Sequence, residues 1–218
     1  KLIGKFVGCA PLHPATVFLL PLISRQRFAQ NERSIFSFLL SGEPGGLRDF
    51  LLSTSFDEKA SLQLYPPNFL WDYLHTNLEQ AILTSPISHR WAEAAEAVLR
   101  AQTQGSEAHV ALVKIIALFD LFGRQVSVYA NSKLLSSASG LSEARVKTIL
   151  KELSGWSIVA FRKHLGAFAI TSGSDVDIDA EVESARTQIA SDLQHVIAKI
   201  PAQQPIVAKR HYHERGTL

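Results

Sequence analysis

The stretch SEARVKTILKELSGWSIVAFRKHLGAFAIT, Ser142 to Thr171, changes its period halfway along. In the first half, Val146, Ile149, Leu150 and Leu153 recur at helical spacing and share one face. Arg145, Thr148, Lys151 and Glu152 fall on the other face. Ser142 suits the N-cap and Gly155 the C-terminal stop. In the second half, WSIVAFRK and AFAIT read as two strands around a tight turn at His164-Leu165-Gly166. A helix leading directly into a hairpin constrains what precedes it.

Upstream, SEAHVALVKIIALFDLF (106–122) is a very apolar helix with Ser106 as N-cap and Gly123 as its end. QVSVY (125–129) alternates and is β-branched, which predicts a short strand. NSKLLSSAS (131–139) is a short helix ended by Gly140. Helix, strand, helix, helix, hairpin is the order of a winged helix-turn-helix domain, assigned to residues 105–171. Its third helix and wing carry Arg145, Lys147, Thr148, Lys151, Arg162, Lys163 and His164, the candidate DNA-binding residues. Five cations stand here against two acids, Glu143 and Glu152. Such positions meet phosphates in nucleic-acid complexes. The same fold also serves as a protein-contact module, and both readings stay open. Base-specific reading is disfavoured, because the outward helix face carries no Asn or Gln.

The first hundred residues read as nearly all helix, a helical region over 1–104. LHPATVFLLPLIS (12–24) has Pro14 in a helix first turn and Pro21 where it would kink or end that helix. A helix follows from about Arg25 to Leu40, stopped by SGEPGG. LRDFLLSTSF (47–56) is a short helix. The stretch 62–85 enters through Pro66-Pro67 into a helix whose Phe69, Leu70, Tyr73, Leu74, Leu78 and Ile82 form a core face. SHRWAEAAEAVLRAQ (88–102) is helical. Beyond the hairpin, residues 172–200 read as a long helix with an acidic start, where the dipole favours carboxylates, and 201–218 as a basic tail. The expected fold is mainly α: a helical bundle region, a winged helix-turn-helix domain with a small β-hairpin wing, then a long C-terminal helix.

With 46% hydrophobic and 19% charged residues, the chain can bury a real core. A net charge of +2 gives no global field for nucleic acid, so any basic site is local. The single cysteine, Cys9, excludes an internal disulfide framework and a Cys-rich zinc site, and reads as a packing residue. KLIGKFVGC has the flavour of a lipoprotein signal, but only Phe6-Val7-Gly8 separates Lys5 from Cys9, too short for a signal core. The apolar run 12–23 is too short to span a bilayer and holds two prolines. These features point to a soluble, cytoplasmic protein with no membrane partner. The chain lacks Met altogether and does not begin with one. That is expected of an excised fragment, or of a sequence written without its methionines.

Several chemistries are disfavoured. Asp175, Asp177 and Asp179 copy the first, third and fifth positions of a calcium loop, but Ala180 stands where Gly is needed and Arg186 where Glu is needed. A nucleotidyltransferase separates its Gly-Ser turn from its acids, whereas Gly173-Ser174 abut Asp175. The acids are read as helix-capping, and no metal site is assigned. No P-loop, Gly-x-Ser-x-Gly elbow or His-Glu-x-x-His motif is present. His211 and His213 stand beside Arg210 and Arg215, which disfavours a cation there. No catalytic residue is assigned.

FAQNERSIFSFLLSGEP (28–44) carries four polar residues inside an apolar run. On a helix, Arg25 and Arg33 share a face, so Arg25, Gln26, Asn31 and Arg33 would present two guanidinium groups and two amides to one partner. Guanidinium binds phosphate bidentately. The alternative is a solvated surface with ion pairs to Glu32.

LHP (12–14), QNERSIFSFLLSGEP (30–44), LWDYL (70–74), GSDVDID (173–179) and AKRHYHERGTL (208–218) together resemble the middle portion of large bacterial P-loop ATP-binding proteins. Some of these appear in defence or DNA-transaction systems. More loosely, the chain resembles the helical lid and winged helix that follow the nucleotide core in AAA+ initiators and STAND-type ATPases. The resemblance implies that residues 1–104 are a lid, and that a nucleotide core lies before Lys1. ATP and magnesium would then bind the parent protein and not this chain. Arg25, Asn31 and Arg33 become nucleotide-sensing candidates. The expected function is a non-catalytic regulatory, DNA- or partner-binding module of a larger ATPase, whose partners are DNA, the upstream core or another subunit. The alternative is a stand-alone winged-helix transcription regulator with a helical effector or dimerisation region.

Overall fold

The computed structural model describes residues 8–26, 35–54 and 63–171, together with positions 182, 185 and 186. Eight α-helices run through these residues: α1 (Pro14–Ser24), α2 (Ile35–Leu40), α3 (Leu47–Ser53), α4 (Pro67–Leu83), α5 (Ser88–Gln104), α6 (Glu107–Phe122), α7 (Ser132–Ser139) and α8 (Glu143–Gly155). Among the described residues there is one antiparallel strand pair, β1 (Val159–Arg162) and β2 (Ala167–Ile170). The protein is thus mainly helical with one small hairpin.

Helix α6 is the centre of the fold. Its sequence is apolar over most of its surface, with Glu107, Lys114 and Asp120 as exceptions, and ten of its residues are buried. A helix without a polar stripe must be enclosed. Helices α1, α4, α5, α7 and α8 and strand β2 all pack against it. One continuous core therefore extends from Leu19 and Trp71 to Leu153 and Ile170. Trp71 of α4 stacks on Trp91 of α5 with ring centroids 4.4 Å apart. A second aromatic cluster gathers around Tyr65, edge-on to Phe38 and Phe50. The buried Tyr65 hydroxyl donates to the Gly45 carbonyl at 2.6 Å, and burial, then the charges around it, raise its pKa.

The helix starts follow local chemistry. Pro14 and Pro67 occupy first-turn positions, where a missing N–H costs nothing. His13 caps α1, its Nδ1 accepting from the Ala15 N–H at 3.1 Å. Asn131 caps α7 and Ser142 caps α8 through their side-chain oxygens. Gly140 ends α7 in the left-handed region at φ +70°.

The structure corrects several expectations. Pro21 does not end α1, which runs one more turn to Ser24. Arg25 caps the end of α1; of the helix expected from about Arg25 to Leu40, residues 35–40 are helical and 27–34 lie outside the described residues. QVSVY is not a strand. Gly123–Val126 form a 3₁₀ turn, Ser127 adopts φ +55°, and pairing reduces to one bridge from Ala130 to Phe168. Tight contact explains this: a Cβ on Gly123 would lie 2.3 Å from the Val128 carbonyl oxygen. Gly155 is the last helical residue of α8, and the left-handed position falls at Ser157, φ +54°.

Residues 174–218 form a separate compact unit from 1–173. Positions 182, 185 and 186 are helical; the rest of the expected long helix and the basic tail lie outside the described residues.

Candidate nucleic-acid interface

Helix α8 is fixed by its apolar face. Val146, Ile149, Leu150 and Leu153 are all buried, as their spacing predicts. That leaves Arg145, Lys147, Thr148 and Lys151 exposed. The Thr148 hydroxyl donates back to the Ala144 carbonyl at 3.1 Å, so its lone pairs face outward and its proton does not. Arg162 ends β1 and is half-buried; Lys163 and His164 are exposed in the turn. Gly166 closes that turn at φ +60°. Among the described residues, none of Arg145, Lys147, Lys151, Arg162 and Lys163 forms an ion pair with an acid.

Glu152 is different. Its Oε2 lies 2.6 Å from Nε2 of His109, on the first turn of α6. The Ser106 backbone N–H donates to Nδ1 of the same ring at 3.1 Å. A backbone N–H can only donate, so Nδ1 is the bare nitrogen and Nε2 carries the proton toward Glu152. The ring also lies against Trp156, with centroids 5.0 Å apart. Arg100 of α5 donates to the Trp156 carbonyl at 2.6 Å. The C-terminal end of α8 is thereby tied to both α5 and α6. Helical spacing alone puts Glu152 on the outward face and marks nothing at His109. The one local signal was position: His109 stands three residues after the N-cap Ser106, where a side chain reaches back to the cap N–H.

The hairpin is held in register by four pairs, from Val159↔Ile170 to Arg162↔Ala167. Phe161 and Phe168 face one another, ring centroids 5.1 Å apart. Phe168 packs on the core, whereas Phe161 is 47% exposed.

The other predicted set falls largely outside the described residues. Arg25 is exposed at the end of α1, while Asn31 and Arg33 lie outside the described residues. A different arginine pair does come together: Arg124 donates twice to Oδ1 of Asp120, and Arg90 donates to the Asp120 carbonyl. Burial, then Arg124, lowers the Arg90 pKa. Two clefts, of about 330 and 440 Å³, run along α4, α5 and α6 and share Asp72, Gln102 and Lys114. Lys114 is already paired there with Asp72 at 2.6 Å. Among the described residues, no group of three or more His, Cys, Asp or Glu side chains is placed to hold a metal, and no helix is long and apolar enough to cross a membrane.

Comparison with protein-family models, curated proteins and solved structures finds no match to this chain.

Proposed function

We propose that residues 105–171 are a winged helix-turn-helix module that binds DNA through α8 and the hairpin. In this reading α6, α7 and α8 are its three helices, the Ala130–Phe168 bridge its short third strand, and β1–β2 its wing. One observation carries the proposal. Arg145, Lys147, Lys151 and Lys163 are exposed and unpaired among the described residues, while the nearby acid Glu152 is turned to His109. Unpaired cations on an exposed helix and loop are what phosphate contacts require. The chemistry supports backbone recognition more than base reading. The resemblance to ATP-binding proteins makes the module the output end of a larger ATPase. Arg25, Asn31 and Arg33 would then contact nucleotide held by an upstream core.

Binding of a short labelled duplex, followed by fluorescence anisotropy across a salt series, tests the DNA role. Affinity should fall linearly on a log–log plot against salt, by about 0.9 per phosphate neutralised. Lys151→Glu and Arg162→Glu should each weaken binding and flatten that slope by about one. Absence of binding at low salt, or two unaltered variants, would return the module to protein contacts. For the ATPase relationship, the coding sequence upstream of Lys1 decides: a Walker A motif there supports it, and a start codon immediately before Lys1 supports a stand-alone regulator.

A further inference from the structure

We propose that Phe161 is a base-stacking residue and that the DNA this protein prefers carries unpaired bases beside a duplex. The inference rests on the DNA-binding reading above and narrows its substrate class. The first observation is exposure without necessity. Phe161 is 47% exposed on a four-residue strand, whereas its neighbours Ile158 and Val159 are buried. Its cross-strand partner Phe168 is half-buried, packs against the core and bridges to Ala130. Among the described residues, strand β1 is paired only on its β2 side. Exposed edges ordinarily carry polar or charged side chains. An aromatic ring here is the opposite choice.

The second observation is order. Phe161 is locked in register with Phe168, their rings 5.1 Å apart and inclined by 56°. Each φ, ψ and χ already fixed is entropy not lost on binding. The third is company. Arg162, Lys163 and His164 follow directly, and neither Arg162 nor Lys163 has an acidic partner among the described residues. A fixed aromatic ring beside free cations is the arrangement that holds single-stranded nucleic acid: the cations track phosphates and the ring takes a base. An intact duplex offers no base face to such a ring. A strand that has just left the duplex does. The exposed cations of α8 supply the duplex half of such a ligand.

The experiment compares three labelled ligands at one low salt concentration with the full chain: a blunt duplex, the same duplex with a single-stranded overhang, and the single strand alone. The overhang duplex should bind roughly tenfold tighter than the blunt one, the scale of one base–aromatic stack. Phe161→Ala should erase that difference and leave blunt-duplex affinity in place; Phe161→Trp should keep it. A 2-aminopurine at the first unpaired position should be quenched by the wild type and not by Phe161→Ala. Should Phe161→Ala fail to fold, Phe161→Leu replaces it, because it keeps apolar bulk and removes the ring. Equal wild-type affinity for blunt and overhang duplexes overturns this proposal and spares the DNA role. So does a preference that survives loss of the ring. No binding to any of the three ligands overturns both.

Discussion

His109 is buried, yet both of its ring nitrogens are engaged, one by Ser106 and one by Glu152. His109→Ala would strand the Ser106 N–H at the start of α6 and release the end of α8. Losing a hydrogen bond to a charged group, with an orphaned donor, costs about 2 kcal/mol. Urea denaturation should show a loss of that size, with an unchanged m-value. A shift under about 0.5 kcal/mol would mean that water replaces both contacts. His13 offers a pH test. Burial lowers its pKa below the ordinary value, and a hydrogen bond with the Ser137 backbone offsets this in part. Its Nδ1 caps α1, a role only the neutral ring fills. As pH falls through about 6.5, the unfolded chain takes up this proton first, so stability drops until the folded pKa is passed. Above that window the contribution is fully present. The melting temperature should therefore fall as the pH is lowered through about 6.5, and His13→Asn, which keeps a capping oxygen, should flatten the fall. An identical slope in the variant would assign the dependence to other groups.

At the scale of elements, Ser157 is the position most open to improvement. It holds φ +54° directly after α8, a conformation that costs a non-glycine residue about 1 kcal/mol. Ser157→Gly should raise stability by up to about 1 kcal/mol, read as an increase in melting temperature. Gly166→Ala should lose a similar amount. Its φ is +60° with nothing within 4 Å of the added Cβ, so backbone strain alone sets the cost. A null result for Gly166→Ala would mean that the turn relaxes. These two positions also show what the sequence could and could not convey. Helix α8 was legible because its cap and its four apolar positions are local facts. Gly166 was legible as a turn residue for the same reason. Ser157 was not, because Gly155 looked like the natural stop and the tertiary pull of Ile158 toward the core moved the bend two residues on. QVSVY misled likewise. Its alternation is real, but Gly123 packs so closely on the Val128 carbonyl that the chain must turn before it can extend. The His109–Glu152 contact spans forty-three residues and leaves no periodic trace. The basic set on α8 and the hairpin was legible by composition; which of its neighbours was spent on an internal contact was not.

Across the described residues up to 171, the decisive feature is that α6 packs against most of the other elements. It packs on α4 and α5 and also on α7, α8 and β2. The chain passes from α5 to α6 through Gly105 and Ser106 without a linker, and no polar layer separates the two sides of the core. Two halves that share one central helix cannot lose it separately. Helices α4–α5 and the α8–hairpin segment should accordingly open in one cooperative step, although either looks like a complete motif when read alone. Ile116, fully buried at the middle of α6, is the position to probe this. Ile116→Ala should lower the opening free energy by about 2–5 kcal/mol. Native-state hydrogen exchange should report the same decrement for core amides of α5 and of α8. A decrement confined to one side would mean that the halves fold independently and that α6 serves only one of them. The equal decrement has a functional corollary. A ligand that orders α8 must also protect α4 and α5, so DNA binding should slow exchange in helices that carry none of the proposed contacts. Protection limited to α8 and the hairpin would leave the helical region energetically uncoupled from the interface.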